Sequence, residues 1–154
     1  MDFARVLEES DEPSVGKAVL CAIEKLFELD QKLLVIDAAE RTIASQMARH
    51  LRPYFENFDI DVDYNRMGEA PKAVRYDEKP ERVYPDIVVH LRGTNADNML
   101  VIELKKDTNR ETKDRDIRKL RAYRRELHYR HALFVRFGTG EAAGAVSECE
   151  WVDM

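Results

Sequence analysis

Three charged side chains sit at the ends of two apolar segments and are of the types needed for metal-assisted hydrolysis. Asp86 opens the first apolar run, and Glu103 and Lys105 close the second. Burying an unpaired carboxylate or ammonium is costly, so such residues usually have a partner, a bound metal or a chemical role. Two acids can hold a divalent cation, and a lysine beside them can act on the water that the cation activates. The pattern predicts a metal-dependent phosphodiesterase, with a nuclease as the leading hypothesis.

Two strands joined by a turn are predicted to position these residues. The strands span 84–91 and 99–105, and the short connection between them is typical of an antiparallel hairpin. The start of one hairpin strand lies beside the end of the other, so we expect Asp86 next to Glu103 and Lys105. Side chains alternate along a strand, so the last two should share a face. Two carboxylates placed there would repel each other unless a cation lay between them.

The remaining hydrophobic periodicity predicts a mixed α/β domain. The expected helices span 14–29, 37–54 (with Asp37 as N-cap) and 112–129, and the further expected strands span 58–66, 131–137 and 145–152. A short apolar connection is expected at 33–36 and a long loop at 67–83. The resulting order is α-α-β-β-β-α-β-β, which indicates a mixed β-sheet flanked by helices.

Length and composition indicate one globular domain spanning residues 1–154. The chain is 44% apolar and 36% charged, and its longest apolar runs are far shorter than a membrane span. The acidic N-terminus lacks the order of a signal peptide, and Cys21 and Cys149 have no paired spacing. We therefore expect a cytoplasmic protein with no membrane partner.

Charge is distributed unevenly along a chain whose net charge is −5. Residues 1–40 hold ten acids and four bases, whereas residues 105–131 hold eleven bases and five acids. Local potential governs phosphate contact, so the basic segment can form a nucleic-acid face, although a solvated helix with internal ion pairs is the alternative. Candidate nucleic-acid contacts in this segment are Lys106, Lys119 and Tyr123; for the last two, one helical turn apart, a surface pair is the alternative.

Other polar residues near the predicted strands can be explained by structural roles. Asn65 and Arg66 are candidates to clamp a phosphate, or else to form a turn and an ion pair. A single histidine on a strand is usually a hydrogen-bonded structural residue, which is the expectation for His90. Asp61 and Asp63 are expected to face solvent.

The chain resembles the PD-(D/E)xK nuclease superfamily, which has the restriction-endonuclease-like fold. The resemblance lies in the segments Pro85-Asp86 and Glu103-Leu104-Lys105, on adjacent predicted strands, and in the order of the predicted elements. The resemblance implies that Asp86 and Glu103 ligate Mg²⁺ or Mn²⁺ and that the Leu104 carbonyl adds an oxygen ligand. It also implies that Lys105 orients or deprotonates the attacking water in a direct hydrolysis.

The resemblance covers about residues 37–137 and suggests one further acid. Members of the superfamily often add an acidic residue on the helix before the sheet, and Glu40 occupies that position as a candidate catalytic and metal-binding residue. A capping box with Asp37, three residues earlier, is an equally good explanation.

Three functional hypotheses follow from these observations. The first is a metal-dependent nuclease that acts on nucleic acid, with DNA favoured over RNA and a homodimer or a partner specificity subunit possible. The second is a catalytically silent nuclease-like fold that binds nucleic acid or protein, although the intact Asp86, Glu103 and Lys105 count against it. The third is an interaction domain that forms a homodimer through its N-terminal helices. Metal dependence separates the first from the others.

Overall fold

Helices pack on both faces of a central sheet. The computed structural model describes residues 1–77 and 79–154. The helices are α1 (Phe3–Glu8), α2 (Pro13–Leu29), α3 (Gln31–Val35), α4 (Glu40–Leu51) and α5 (Asp114–Leu127). The strands are β1 (Asp59–Val62), β2 (Ala73–Val74), β3 (Glu81–Arg82), β4 (Ile87–His90), β5 (Leu100–Lys106), β6 (His131–Phe137) and β7 (Val146–Trp151). Short 3₁₀ helices follow α4 at Arg52–Tyr54 and β6 at Gly140–Ala142.

The main sheet is mixed and has five strands in the order β1-β4-β5-β6-β7. The central pair β5 and β6 is parallel, and the other neighbours are antiparallel. A parallel pair needs a long crossover, which α5 supplies between these two strands. Strands β4 and β6 are buried along their whole length, as is most of β5. The site residues at the end of β5 are therefore held by a rigid central strand.

Side-chain alternation along β5 divides the protein into two cores. Leu100, Ile102 and Leu104 pack into the larger core with helices α2 and α4. Val101 packs on the opposite face, in a smaller core with Tyr123 of α5. Because alternate strand residues share a face, Glu103 belongs to the side covered by α5.

The segment 67–83, predicted to be a loop, contains a second, two-stranded sheet. Strands β2 and β3 pair antiparallel, and α5 contacts β2. Val74 and Val83 are buried in the smaller core, and the buried Lys72 donates from Nζ to the Tyr129 hydroxyl at 3.0 Å. Strands of two residues are too short to produce a visible alternation in the sequence, which is why the hairpin was missed.

Two further expectations near the N-terminus are wrong. The connection predicted at 33–36 lies largely in α3, and α1 was not predicted, because helices of five or six residues are too short to show a full apolar period. Asp37 is not an N-cap: its backbone has a φ of 55°, Ala39 is the N-cap, and α4 begins at Glu40.

The other predicted elements are confirmed with shifted ends. The strands predicted at 58–66 and 84–91 are shorter, at Asp59–Val62 and Ile87–His90. Strand 131–137 matches β6, and the helices predicted at 14–29 and 112–129 correspond to α2 and α5. The mixed α/β class is confirmed as well. Within the described ranges, none of the helices combines the length and the apolar character needed to cross a membrane.

Candidate functional site

Asp86 and Glu103 lie side by side on the sheet face covered by α5. The antiparallel register pairs Ile87 with Ile102, and its continuation sets the two acids opposite each other. The Leu104 N–H donates to Asp86 Oδ2 at 2.9 Å and fixes this carboxyl group at the strand end. Glu103 is only 3% exposed. The predicted hairpin is confirmed, and it brings the two acids together.

The two carboxyl groups share an environment that disfavours two negative charges. Burial, together with the nearby charge of Glu103 and a hydrogen bond to it, raises the pKa of Asp86 far above that of an ordinary carboxyl group. The Leu104 N–H and the charge of Lys119 act in the opposite direction but do not cancel this effect. Asp86 therefore holds a proton at neutral pH when no cation is bound.

Two residues of α5 compensate the buried Glu103 carboxylate. The Tyr123 hydroxyl donates to Glu103 Oε1 at 3.0 Å, and Lys119 Nζ lies 3.4 Å from the same oxygen. Tyr123 is fully buried. The surface pair expected for Lys119 and Tyr123 is therefore wrong, and Tyr123 does not reach a sugar from this position. Both residues lie on the inner side of α5, where they face the sheet.

The charge of Lys119 persists despite its burial. Burial lowers the pKa of Lys119, but the carboxylates of Glu103 and Asp116 outweigh burial and raise this pKa above its usual value. Burial and Glu103 raise the pKa of the Tyr123 hydroxyl. The helix thus presents an ammonium group and a protonated hydroxyl to the acid pair.

Lys105 is tied to a buried acid that the sequence did not single out. Lys105 Nζ lies 3.0 Å from Asp116 Oδ2 and 3.4 Å from Glu111 Oε2. The other oxygen of Asp116 lies 3.7 Å from Lys119 Nζ, so one carboxylate contacts both ammonium groups. Asp116 is only 6% exposed. The signal for Asp116 was its position one helical turn before Lys119, on the apolar side of the predicted helix.

The protonation of Lys105 limits its chemistry. Burial lowers the pKa of Lys105, but Asp116 above all, then Glu40 and Glu111, outweigh burial and raise this pKa above its usual value. An ammonium group can orient a water molecule or stabilise a negative charge, but it cannot accept a proton. Of the two roles that the resemblance implies for Lys105, the arrangement favours orientation.

Glu40 is the first residue of α4 and faces the same region. Its Oε1 accepts a hydrogen bond from Asn109 Nδ2 at 3.1 Å. Its Oε2 is buried and accepts no hydrogen bond from the residues that the structure describes. The capping-box explanation is wrong, because Asp37 is not the N-cap of this helix. Glu40 thus has one oxygen free to bind a ligand.

Arg136 of β6 holds the loop that follows β5. Its Nη1 donates to the carbonyl oxygens of Lys106 and Asn109, at 3.3 and 2.7 Å, and its Nη2 donates to that of Glu111 at 2.8 Å. This loop supplies Asn109 and Glu111 to the site. Arg136 was missed, although a charge inside the apolar run 131–137 is the same kind of signal that marked Glu103.

Two predicted nucleic-acid contacts, Arg66 and Lys106, bind other protein groups rather than the acid pair. The exposed Arg66 donates from Nη1 to the Asn65 carbonyl at 2.7 Å. Lys106 Nζ forms an ion pair with Asp37 Oδ1 at 3.0 Å, on the opposite face of β5 from Lys105. The side-chain amide of Asn65 donates to the Lys72 and Val83 carbonyls, which ties this residue to the positions that flank the hairpin of β2 and β3.

The polar residues of β1 and β4 form a separate structural network. His90 is buried, and its Nε2 lies 2.8 Å from Asp61 Oδ2, which confirms the structural role expected for this histidine. Asp61 does not face solvent as predicted, because it also pairs with Arg92 at 2.7 Å. Asp63 pairs with the exposed Arg41 at 3.0 Å.

Comparisons with protein-family models, with curated proteins and with solved structures find no match to the chain.

The donor atoms of the site suit a hard divalent cation in a site with few protein ligands. Across residues 1–77 and 79–154, no three His, Cys, Asp or Glu side chains are grouped so that they could hold a metal ion. Asp86 and Glu103 nevertheless offer two adjoining carboxyl groups, and Glu40 Oε2 has no hydrogen-bond partner among the described residues. Carboxylate oxygens are the preferred ligands of Mg²⁺, which commonly keeps several water ligands beside one or two carboxylates.

Proposed function

We propose that the protein is a metal-dependent nuclease of the PD-(D/E)xK type. The observation that carries this proposal is the buried pair of Asp86 and Glu103, flanked by the ammonium groups of Lys105 and Lys119. An apolar replacement of such a cluster would often be more stable, so stability alone does not account for it. Strongly perturbed carboxyl groups beside specific charge partners are typical of functional sites.

The roles proposed for the residues follow from their contacts. A Mg²⁺ or Mn²⁺ ion held by Asp86 and Glu103, with the Leu104 carbonyl and Glu40 as further oxygen donors, would generate hydroxide from water and offset charge on a phosphate. Lys105, kept positive by Asp116, would orient the attacking water and stabilise negative charge on the phosphoryl oxygens.

The proposed substrate is nucleic acid, with DNA favoured over RNA. The basic composition of the segment 105–131, which includes the whole of α5, supports a polyanionic substrate. Lys119 links that helix directly to the acid pair. A chain of 154 residues leaves little room for a separate specificity module, so we include a homodimer or a partner subunit in the proposal.

One observation favours the second candidate, a catalytically silent module that binds nucleic acid or protein. Glu103 Oε1 already has two partners, Lys119 and Tyr123, so its charge is compensated without a metal. A module of this kind would bind nucleic acid in a salt-dependent way without turnover. Metal affinity and cleavage separate the two candidates.

The decisive experiment measures cleavage of labelled single- and double-stranded DNA and RNA in the presence of Mg²⁺, Mn²⁺ or EDTA. The proposal expects cleavage with a divalent ion that is lost in Asp86→Asn and strongly reduced in Lys105→Met. Cleavage that persists unchanged in both variants comes from a contaminant and overturns the proposal. Binding of nucleic acid without cleavage under every metal condition favours the silent module.

A further inference from the structure

Four arginines form a stripe along the outer side of α5. Arg115, Arg118, Arg121 and Arg125 recur every three or four residues, and all four are exposed. At a rise of about 1.5 Å per residue, the stripe is about 15 Å long. One strand of a duplex places roughly four phosphates in that length, at about 3.4 Å of axis per phosphate. The number of cations therefore matches the number of phosphates along one strand.

The hairpin formed by β2 and β3 supplies ion-pair and hydrogen-bond partners for this stripe. Arg118 Nε lies 3.1 Å from Asp77 Oδ1, and Arg115 donates from Nε and Nη2 to the Tyr76 hydroxyl at 3.3 and 3.2 Å. Arg125 Nη2 donates to the Arg75 carbonyl at 2.7 Å. Arg121 has no ion-pair partner among the described residues. The hairpin thus occupies part of the stripe and leaves part of it open.

These hairpin contacts are weak enough to be exchanged. The side chains of Arg118 and Asp77 are 47% and 46% exposed, and ion pairs between exposed groups contribute little net stability. A phosphate offers arginine a charge-assisted, often bidentate hydrogen bond, and its binding releases condensed counterions. A polyanion is therefore expected to displace Asp77 from Arg118.

Lys119 connects the helix that carries the stripe to the acid pair. Lys119 lies one helical turn beyond Arg115, and it reaches Glu103 from the side of α5 that faces the sheet. The stripe and the acid pair therefore lie on different sides of the same helix, and a strand on the arginines reaches the acid pair only by passing around α5.

We infer that the stripe of Arg115, Arg118, Arg121 and Arg125 is the surface on which the phosphate backbone of a nucleic-acid strand crosses α5, and that Asp77 competes with phosphate for Arg118. The inference rests on the proposed function and adds to it the path of the substrate. It requires opposite effects from the two members of one ion pair: loss of Arg118 weakens binding, and loss of the Asp77 charge strengthens it.

The test measures binding of fluorescein-labelled 20-nucleotide DNA, single- and double-stranded, by fluorescence anisotropy in EDTA over a salt series. Arg118→Gln should weaken binding about three- to tenfold and make the salt slope shallower by roughly 0.7 to 0.9. Asp77→Asn should tighten binding about two- to fivefold, since it frees Arg118 for phosphate. The double variant should bind like Arg118→Gln, because Asp77 acts only through that arginine.

The matched control is the exposed ion pair of Lys25 and Glu28 on α2, whose N–O distance is 3.3 Å. Lys25→Gln and Glu28→Gln change the net charge as the test variants do, but they lie on the far side of the sheet, so binding should stay within about twofold of wild type. Thermal unfolding checks that all variants remain folded.

Either of two results overturns the inference. In the first, Arg118→Gln binds DNA with the wild-type affinity and salt slope; in the second, Asp77→Asn binds DNA more weakly than wild type. If the wild type cleaves DNA in a metal- and Asp86-dependent manner while Arg118→Gln binds DNA with wild-type affinity, the proposed nuclease function stands and only the path of the strand along α5 is wrong. If the wild type neither binds nor cleaves nucleic acid, the proposed function fails together with the inference.

Discussion

The ammonium nitrogen of Lys119 lies 3.4 Å from Glu103 Oε1, inside the smaller core. This contact provides the positive charge that the buried carboxylate requires in the absence of a metal ion. A divalent cation bound by Glu103 and Asp86 would share that oxygen with Lys119 or take its place. The lysine therefore both stabilises the metal-free site and opposes metal binding.

Removing the Lys119 charge is expected to strengthen metal binding. Lys119→Gln should raise the affinity for Mn²⁺ about three- to tenfold, because a like charge beside the ion is lost. Isothermal titration calorimetry at pH 7.5 measures this change. Lys113→Gln is the matched control, since Lys113 pairs with the distant Glu150 at 2.9 Å and should leave the affinity unchanged. A lower Mn²⁺ affinity in Lys119→Gln would contradict competition at Glu103.

The raised pKa of Asp86 predicts how its replacement changes stability with pH. The unfolded carboxyl group ionises near its ordinary pKa of 3.8, whereas burial and Glu103 keep it protonated in the folded state. The folded chain thus binds the proton more tightly, and the contribution of Asp86 to stability is complete below about pH 4 and declines as the pH rises toward the folded pKa.

Asp86→Asn does not titrate and should therefore gain stability relative to wild type as the pH rises. Urea unfolding in EDTA should give a free energy of unfolding about 1–4 kcal/mol higher than wild type at pH 8, with a smaller difference at pH 5. Asp153→Asn serves as the control, because Asp153 is 96% exposed and should show no such trend. Parallel stability curves for Asp86→Asn and wild type would rule out the protonated pair.

Loss of the Lys105 charge should affect turnover more than substrate binding. Lys105→Met should lower kcat by about 10²–10³-fold, the range for removing one preorganised group that stabilises developing charge, with a small change in KM. Lys105→Arg should not restore the rate, because a guanidinium group does not match the contact of Nζ with Asp116 at 3.0 Å. Steady-state cleavage assays measure both constants. The exposed Lys32→Met is the control, and a wild-type kcat in Lys105→Met would exclude the proposed role.

Lys72 predicts a pH effect of a different kind. Burial lowers its pKa to about 8, from an ordinary value of 10.5. Between these values the unfolded chain binds more protons than the folded one, so raising the pH through this window stabilises the wild type. Lys72→Met has no amine at this position and lacks this pH-dependent gain in stability.

Urea unfolding of both proteins from pH 7.5 to 10.5 should therefore show the wild type gaining stability relative to Lys72→Met. The exposed Lys25→Met controls for the loss of one lysine and should run parallel to wild type. A constant difference between wild type and Lys72→Met would show that this lysine titrates normally in the folded state.

The hairpin of β4 and β5 and the pairing of its two acids could be predicted from the sequence, because the patterns that indicate them are local. Alternation and the apolar runs around Asp86 and Glu103 defined two strands, and a short turn between them permits only an antiparallel pairing. The same reasoning failed at the hairpin of β2 and β3 and at α1 and α3, whose elements are too short to show a period. It also gave Asp37 a capping role that the observed start of α4 at Glu40 excludes.

What the sequence by itself determined is therefore the mixed α/β class and the neighbourhood of Asp86 with Glu103, since strand periodicity and a short connection fix both. Only the tertiary structure decided what surrounds them. The packing of α5 on the sheet brings Lys119 and Tyr123 to Glu103 and sets Asp116 between two lysines. The contacts of Glu103 and Lys105 with α5 join residues more than ten positions apart through the parallel crossover, and the geometry of that crossover follows from packing rather than from any local pattern.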